Sequence, residues 1–254
     1  MPSTRSVFLL TATINPRSTL LLKRRDPAQR ESDYLRVLSR LLETTNIPIV
    51  WCENSGYPLI HVHEAFTSVP SSRLEILQFE SQSDPSRGKG AGELEIEQYA
   101  FKHSILLKNA EYVLKLTGRY YVENLAALLT PLNGPRSPFA LADFRDGARY
   151  TFSGFFVGVP AFFKKYLFYQ ADFLDDSKSQ TMEIALYQAL SKAQMDGEYC
   201  EHFPESPHIS GISGTWNVAM DTKDPNQIAW SWSKLKMLIG YYLTSLRKRL
   251  MRSR

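Results

Sequence analysis

Three glycines interleave with two cations in Ser86-Arg-Gly-Lys-Gly-Ala-Gly-Glu. Glycine lets backbone N–H groups close on phosphate oxygens. Where such a run leads into a helix, the helix dipole adds to the attraction, so this stretch reads as an anion site. It is not a Walker A loop, because Lys89 is followed by Gly90 and not by Ser or Thr. Nor is it a dinucleotide fingerprint, because it follows the third expected strand and not the first. The plain alternative is a flexible exposed loop. A second cluster, Lys115-Leu-Thr-Gly-Arg-Tyr, ends another expected strand. There Lys115 and Thr117 alternate to one face, and Gly118 permits a turn from which Arg119 projects. Such a cation pair would neutralise a diphosphate without a metal, since Arg engages phosphate bidentately. The plain alternative is a strand end with two solvated cations.

Chemistry at such a site would also call for a general base. Glu183 opens the helical run Met-Glu-Ile-Ala-Leu-Tyr and is the first candidate, with Asp143, Asp172 and Asp175 as alternatives. An acid in a first turn equally serves the helix dipole with no catalytic role. His61 and His63 would share one side of a strand, but no third ligand has motif-like spacing. Ser210-Gly-Ile-Ser-Gly misplaces its serine for a nucleophile elbow. Cys52 and Cys200 are the only cysteines, too few for a disulfide framework and in no zinc spacing, which points to a reducing compartment.

The elements that must hold these residues follow from the apolar pattern. Val7-Phe-Leu-Leu reads as a buried strand that ends at the polar Thr11-Ala-Thr-Ile-Asn-Pro. Residues 33–42 carry helical spacing. Ile47-Pro-Ile-Val-Trp-Cys is a second strand with Glu53-Asn-Ser-Gly as its turn, and residues 74–79 form a third. A loop over 81–92 then leads to a helix over 93–107, and 111–118 make a fourth strand. This alternation implies a mostly parallel, doubly wound sheet, and ligands sit at the carboxyl ends of such strands. Beyond residue 120 the pattern is less regular: strands over 139–143 and 154–159, a helix over 176–193, and a loop or short strand at 211–216.

The ordered set of a Thr-x-Thr-x-Asn-Pro strand end, a Cys-Glu-Asn-Ser-Gly turn, the Gly-Lys-Gly loop and the Lys-Leu-Thr-Gly-Arg-Tyr strand end resembles bacterial glycosyltransferases that build capsules and lipopolysaccharide O-antigens. Ala142-Asp-Phe-Arg, Ser153-Gly-Phe-Phe and the Glu183 helix extend the resemblance over most of residues 7–220. It implies a GT-A-like, Rossmann-like α/β fold: a mostly parallel mixed sheet flanked by helices. It also implies a nucleotide-sugar donor, with no other organic cofactor, and a glycan or lipid-linked acceptor. Thr11, Thr13 and Asn15 would lie near the nucleoside, and Glu53 and Asn54 near the base or ribose. Gly88, Lys89, Gly90 and Glu93 would fall at the donor or acceptor cleft. Lys115, Thr117, Gly118 and Arg119 would occupy the strand end where many GT-A enzymes carry a metal-binding Asp-x-Asp. No such motif stands there, which leaves dependence on Mg or Mn in doubt; Asp143 is the nearest carboxylate that could replace it.

The 254 residues, 43% of them hydrophobic, suit a single α/β domain over 1–230. Five basic residues (Arg247, Lys248, Arg249, Arg252, Arg254) crowd the last eight positions, and without them the net charge of +4 would turn slightly negative. That excess marks a basic amphipathic helix over 231–254 resting on an anionic membrane surface, not a nucleic-acid-binding face. With no secretory signal or membrane span in evidence, the expected location is cytoplasmic, peripheral on the inner face of the cell membrane. Two rivals remain: a sugar nucleotidyltransferase, whose Gly-rich basic loop should follow the first strand, and a non-catalytic glycan-binding protein.

Overall fold

The computed structural model describes residues 5–18, 20, 22–145 and 149–221. The expected basic helix over 231–254 lies outside the described residues. The first strand, β1 (Ser6–Ala12), is buried along its whole length, as a strand covered on both faces must be. It is followed by α1 (Pro27–Thr44), β2 (Ile49–Glu53), α2 (Ile60–Phe66), β3 (Leu74–Gln78), α3 (Lys89–His103), β4 (Tyr112–Thr117), β5 (Tyr120–Val122) and α4 (Leu125–Leu128). The chain continues through β6 (Ala140–Arg145), β7 (Tyr150–Gly158), α5 (Pro160–Phe162), α6 (Met182–Met195), β8 (Cys200–His202), β9 (Ile209–Ile212) and β10 (Ala219–Asp221).

Seven strands form one sheet in the order β3-β2-β1-β4-β7-β6-β8. The first four are mutually parallel; β7 runs antiparallel to β4 and to β6, and β8 is parallel to β6. This is the expected mixed, mostly parallel α/β sheet, in one domain. A small antiparallel sheet, β10-β9-β5, was not foreseen. Helices cover both faces. Tyr34, Val37, Leu38 and Leu41 of α1 pack with Leu10, Trp51 and Leu114 on one side. Leu94 of α3 and Leu186 of α6 pack with Leu9, Val113 and Phe156 on the other. Burying each large apolar side chain in these layers contributes roughly 1.5–3 kcal/mol.

Several boundaries differ from the sequence reading for physical reasons. Helix α1 starts at Pro27, because the Asp26 carboxylate accepts from Gln29 N (2.8 Å) and proline suits a first helical position. Helix α3 starts at Lys89 and not at 93; Gly88, at φ 88°, turns the chain, and Gly90 and Gly92 lie within the helix. The expected helix over 176–193 is broken. A single turn at Asp176–Lys178 ends at Ser179, whose φ of 61° cannot continue a helix, and α6 begins at Met182. His61 and His63 fall on α2, where residues two apart do not share a face, and His61 Nδ1 instead meets Glu31 at 3.1 Å. Among the described residues no helix is long and apolar enough to cross a membrane.

Candidate functional site

The carboxyl ends of β1, β2 and β4 open into a cleft, which α3, β7, α6 and the turn at 213–215 complete. A cleft at the carboxyl ends of parallel strands is where sheets of this kind bind ligands. Of the residues singled out from sequence, Thr11, Thr13, Asn15, Asn54, Gly88, Lys89, Gly90, Glu93, Thr117, Arg119 and Glu183 line it. Glu53, Lys115, Gly118, Asp143, Asp172 and Asp175 do not.

Asp172 is exposed; each of the other five absences has a cause in the packing. Glu53 is fully buried and fastens two loops: its carboxylate accepts from Ile14 N and Ser55 N, both at 2.9 Å, and from Ser55 Oγ. Lys115 is 0% exposed. Its ammonium donates to Glu93 Oε1 and to Ser153 O (2.8 Å), and it lies over the Phe156 ring. The residue expected as one of a cation pair for a diphosphate is therefore a buried partner of Glu93. Gly118 has no left-handed backbone; a side chain there would meet Thr11 O at 3.0 Å and the Tyr34 ring at 3.1 Å, so packing between β1 and α1 is what demands glycine. Asp143 is buried on β6, off the cleft. Asp175 caps its own turn, where Lys178 and Ser177 hold its carboxyl down at about 2.

The cleft has two electrostatically distinct ends. At the α1 end, Arg30 is 3% exposed and Arg119 is 7% exposed, and both donate to the Tyr34 hydroxyl at 3.1 Å. Their other acceptors are carbonyls: Thr13 O and Arg24 O for Arg30, Ile212 O for Arg119. Among the described residues neither forms an ion pair with a carboxylate. The Asp33 carboxylate, whose charge acts on both, is engaged directly by Arg24 at 2.5 Å and Arg36 at 2.9 Å. Burial lowers the Arg30 pKa, and the neighbouring Arg119 charge lowers it further. Arg17 joins the same rim, its guanidinium donating to Ser81 O (2.6 Å).

The opposite end is acidic. Glu93 accepts from Lys115, Thr117 (3.3 Å) and Thr11 (3.4 Å). Burial works to raise its carboxyl, but Lys115 and its other donors outweigh that and hold it below the ordinary range. Glu183 stands in the first turn of α6 and accepts from Ser153 Oγ at 2.9 Å. Asp176, which sequence reading passed over, is 5% exposed; its Oδ2 accepts from the amides of Lys89 (2.8 Å) and Gly90 (3.2 Å). The helix start read as a phosphate cradle thus holds a carboxylate of the chain itself. Lys89 reaches elsewhere, donating to Thr215 Oγ1 (2.6 Å).

Arg30 and Tyr34 were also missed, although four residues apart on one helix is a spacing that brings side chains together. Starting α1 at residue 33 hid it. The end of β4 offers Lys115 and Thr117 but no carboxylate. Among the described residues no three His, Cys, Asp or Glu side chains gather as a metal set. The described side chains of the cleft therefore offer no ligand set for Mg or Mn.

No protein-family model matches the chain, and no curated protein matches its sequence. Solved structures do resemble it. A mannosyltransferase, PcManGT from Pyrobaculum calidifontis, solved in complex with GDP-Man and Mn2+, is 13% identical with a TM-score of 0.48, covering 97% of this chain. This chain spans 66% of that protein's length. A cytidylyltransferase from Leptospira borgpetersenii is 11% identical, TM-score 0.44, over 86% of this chain and 82% of its own. The mannosyltransferase Ktr4p from S. cerevisiae is 9% identical, TM-score 0.44, over 82% and 70%. At such identities and TM-scores the likeness carries nothing about what the protein does, which has to be read from the cleft.

Proposed function

We propose that the protein transfers a sugar from a UDP-, GDP- or CMP-activated donor to a hydroxyl of a surface polysaccharide or lipid-linked glycan. One observation carries this: two buried guanidiniums share one tyrosine hydroxyl on the cleft wall, and among the described residues neither is directly ion-paired to a carboxylate. A buried charge without a counter-ion is costly, and a bound anion removes the cost. Each guanidinium has five N–H donors, so several remain for phosphate oxygens. Thr11, Thr13, Asn15 and Asn54, at the ends of β1 and β2, would then face the nucleoside.

The rest follows from the polarity of the cleft. With the phosphates at the arginines, the sugar lies toward the acidic end. Glu183 takes the proton of the acceptor hydroxyl as that oxygen bonds to the anomeric carbon. The bond from that carbon to the phosphate oxygen breaks, and the electron pair leaves with the nucleotide, whose charge Arg30 and Arg119 stabilise.

A donor panel tests this through nucleotide release. Arg119→Ala is expected to lower the affinity for the nucleotide by about 10–100-fold, the scale of a charged hydrogen bond. Glu183→Gln is expected to lower turnover by roughly 100-fold, with donor affinity unchanged. Equal rates in wild type and both variants would favour a binding protein. Pyrophosphate released from a nucleoside triphosphate and a sugar phosphate would instead favour a nucleotidyltransferase.

A further inference from the structure

Asp176 is anchored by one oxygen and unserved at the other. Its Oδ2 takes the two amides at the start of α3, while Oδ1 has no hydrogen-bond donor among the described residues. The carboxylate is wedged between two glycines: a Cβ at Gly88 would lie 2.5 Å from Oδ2, and one at Gly90 would lie 3.1 Å from Oδ1. The residue lines the cleft beside Glu183. Burial raises its carboxyl above the ordinary range, and the Glu183 charge adds to this. A buried acceptor oxygen with no donor is expensive to keep. Polyhydroxylated ligands supply the kind of donor it lacks.

We infer that Asp176 is a specificity-determining residue that accepts a hydrogen bond from a hydroxyl of the transferred sugar. The inference rests on the nucleotide-sugar reading above. The amides of Lys89 and Gly90 fix the carboxylate, so it recognises hydroxyl position and not merely polarity. In this arrangement the glycine segment contributes to sugar selection by gripping an aspartate, and the phosphates bind elsewhere, at Arg30 and Arg119.

The test compares each nucleotide with its sugar conjugate (UDP with UDP-glucose, GDP with GDP-mannose, CMP with CMP-sialic acid) by calorimetry on wild type, Asp176→Asn and Gly90→Ala. Asparagine keeps a carbonyl for the two amides, so the thermal midpoint of Asp176→Asn should stay close to wild type. Its affinity for the bare nucleotide should hold within about twofold while affinity for the conjugate falls roughly 10-fold, as for loss of one charged hydrogen bond. Gly90→Ala, which suits a helix better than glycine, should show the same selective loss because its methyl displaces the carboxylate. It decides the matter if Asp176→Asn does not fold. Conjugate binding equal to wild type, or equal loss for nucleotide and conjugate, overturns the inference. Failure of wild type to bind any of the nucleotides removes the donor reading, and this inference with it.

Discussion

Lys115→Met is expected to cost about 3–5 kcal/mol of stability, because it strands the largely buried Glu93 charge in the cleft wall. The ammonium is wholly enclosed, and three of its neighbours are committed to it: Glu93 Oε1, Ser153 O and the Phe156 face. A methionine fills much the same space but returns none of these. Thr11 and Thr117 could still donate to Glu93, but two hydroxyls at 3.3–3.4 Å do not replace an ammonium. Urea unfolding of Lys115→Met, Glu93→Gln and the double variant measures this. The double variant should recover a good part of the loss, because a neutral pair leaves no buried charge. A cost under about 1 kcal/mol for Lys115→Met would show that the pair is worth no more than a surface salt bridge.

Stability is also expected to fall as pH rises from about 4.5 to about 8, and Glu97 is the source. One turn beyond Glu93 on α3, its carboxyl is 0% exposed, with neither oxygen hydrogen-bonded among the described residues. Burial pushes it up to about 8; the Lys115 ammonium opposes this and the Glu93 charge reinforces it. In that window the folded protein holds the proton and the unfolded chain has released it, so the unfolded state binds fewer protons and each pH unit costs about 1.4 kcal/mol. The loss should be on the order of 5 kcal/mol once pH passes 8. Glu97→Gln, neutral throughout, should flatten the profile: similar to wild type at pH 5 and markedly more stable at pH 8.5. Parallel profiles for the two proteins would assign the buried charge elsewhere.

The two ends of α3 mark where sequence reading succeeds and where it stops. Strands β1 and β2 are nearly continuous apolar runs with abrupt polar ends, and burial on both faces writes itself into such runs. The alternation that puts Lys115 and Thr117 on one face of β4 is equally local. What faces them is not: Glu93 sits 22 residues away in sequence from Lys115, and Asp176 sits 87 from Lys89. A glycine-rich helix start announces that something anionic binds its amides, but not whether that anion belongs to a ligand or to the chain. Arg30 was hidden for a different reason. Before the Asp26 cap is recognised, residues 27–32 show no apolar period. Helix α2, with only Val62 and Phe66 buried in seven residues, is too short for a period to show.

In the proposed function the nucleotide's phosphates bind at Arg30, Tyr34 and Arg119, with the acidic end left to the sugar. A crystal structure of the protein soaked with UDP, GDP or CMP tests it most directly. The expected result places a phosphate within hydrogen-bond distance of the Arg30 or Arg119 guanidinium, with Asp176 still on the amides of Lys89 and Gly90. A phosphate found instead on those two amides, with Asp176 displaced and both arginines untouched, would contradict the account.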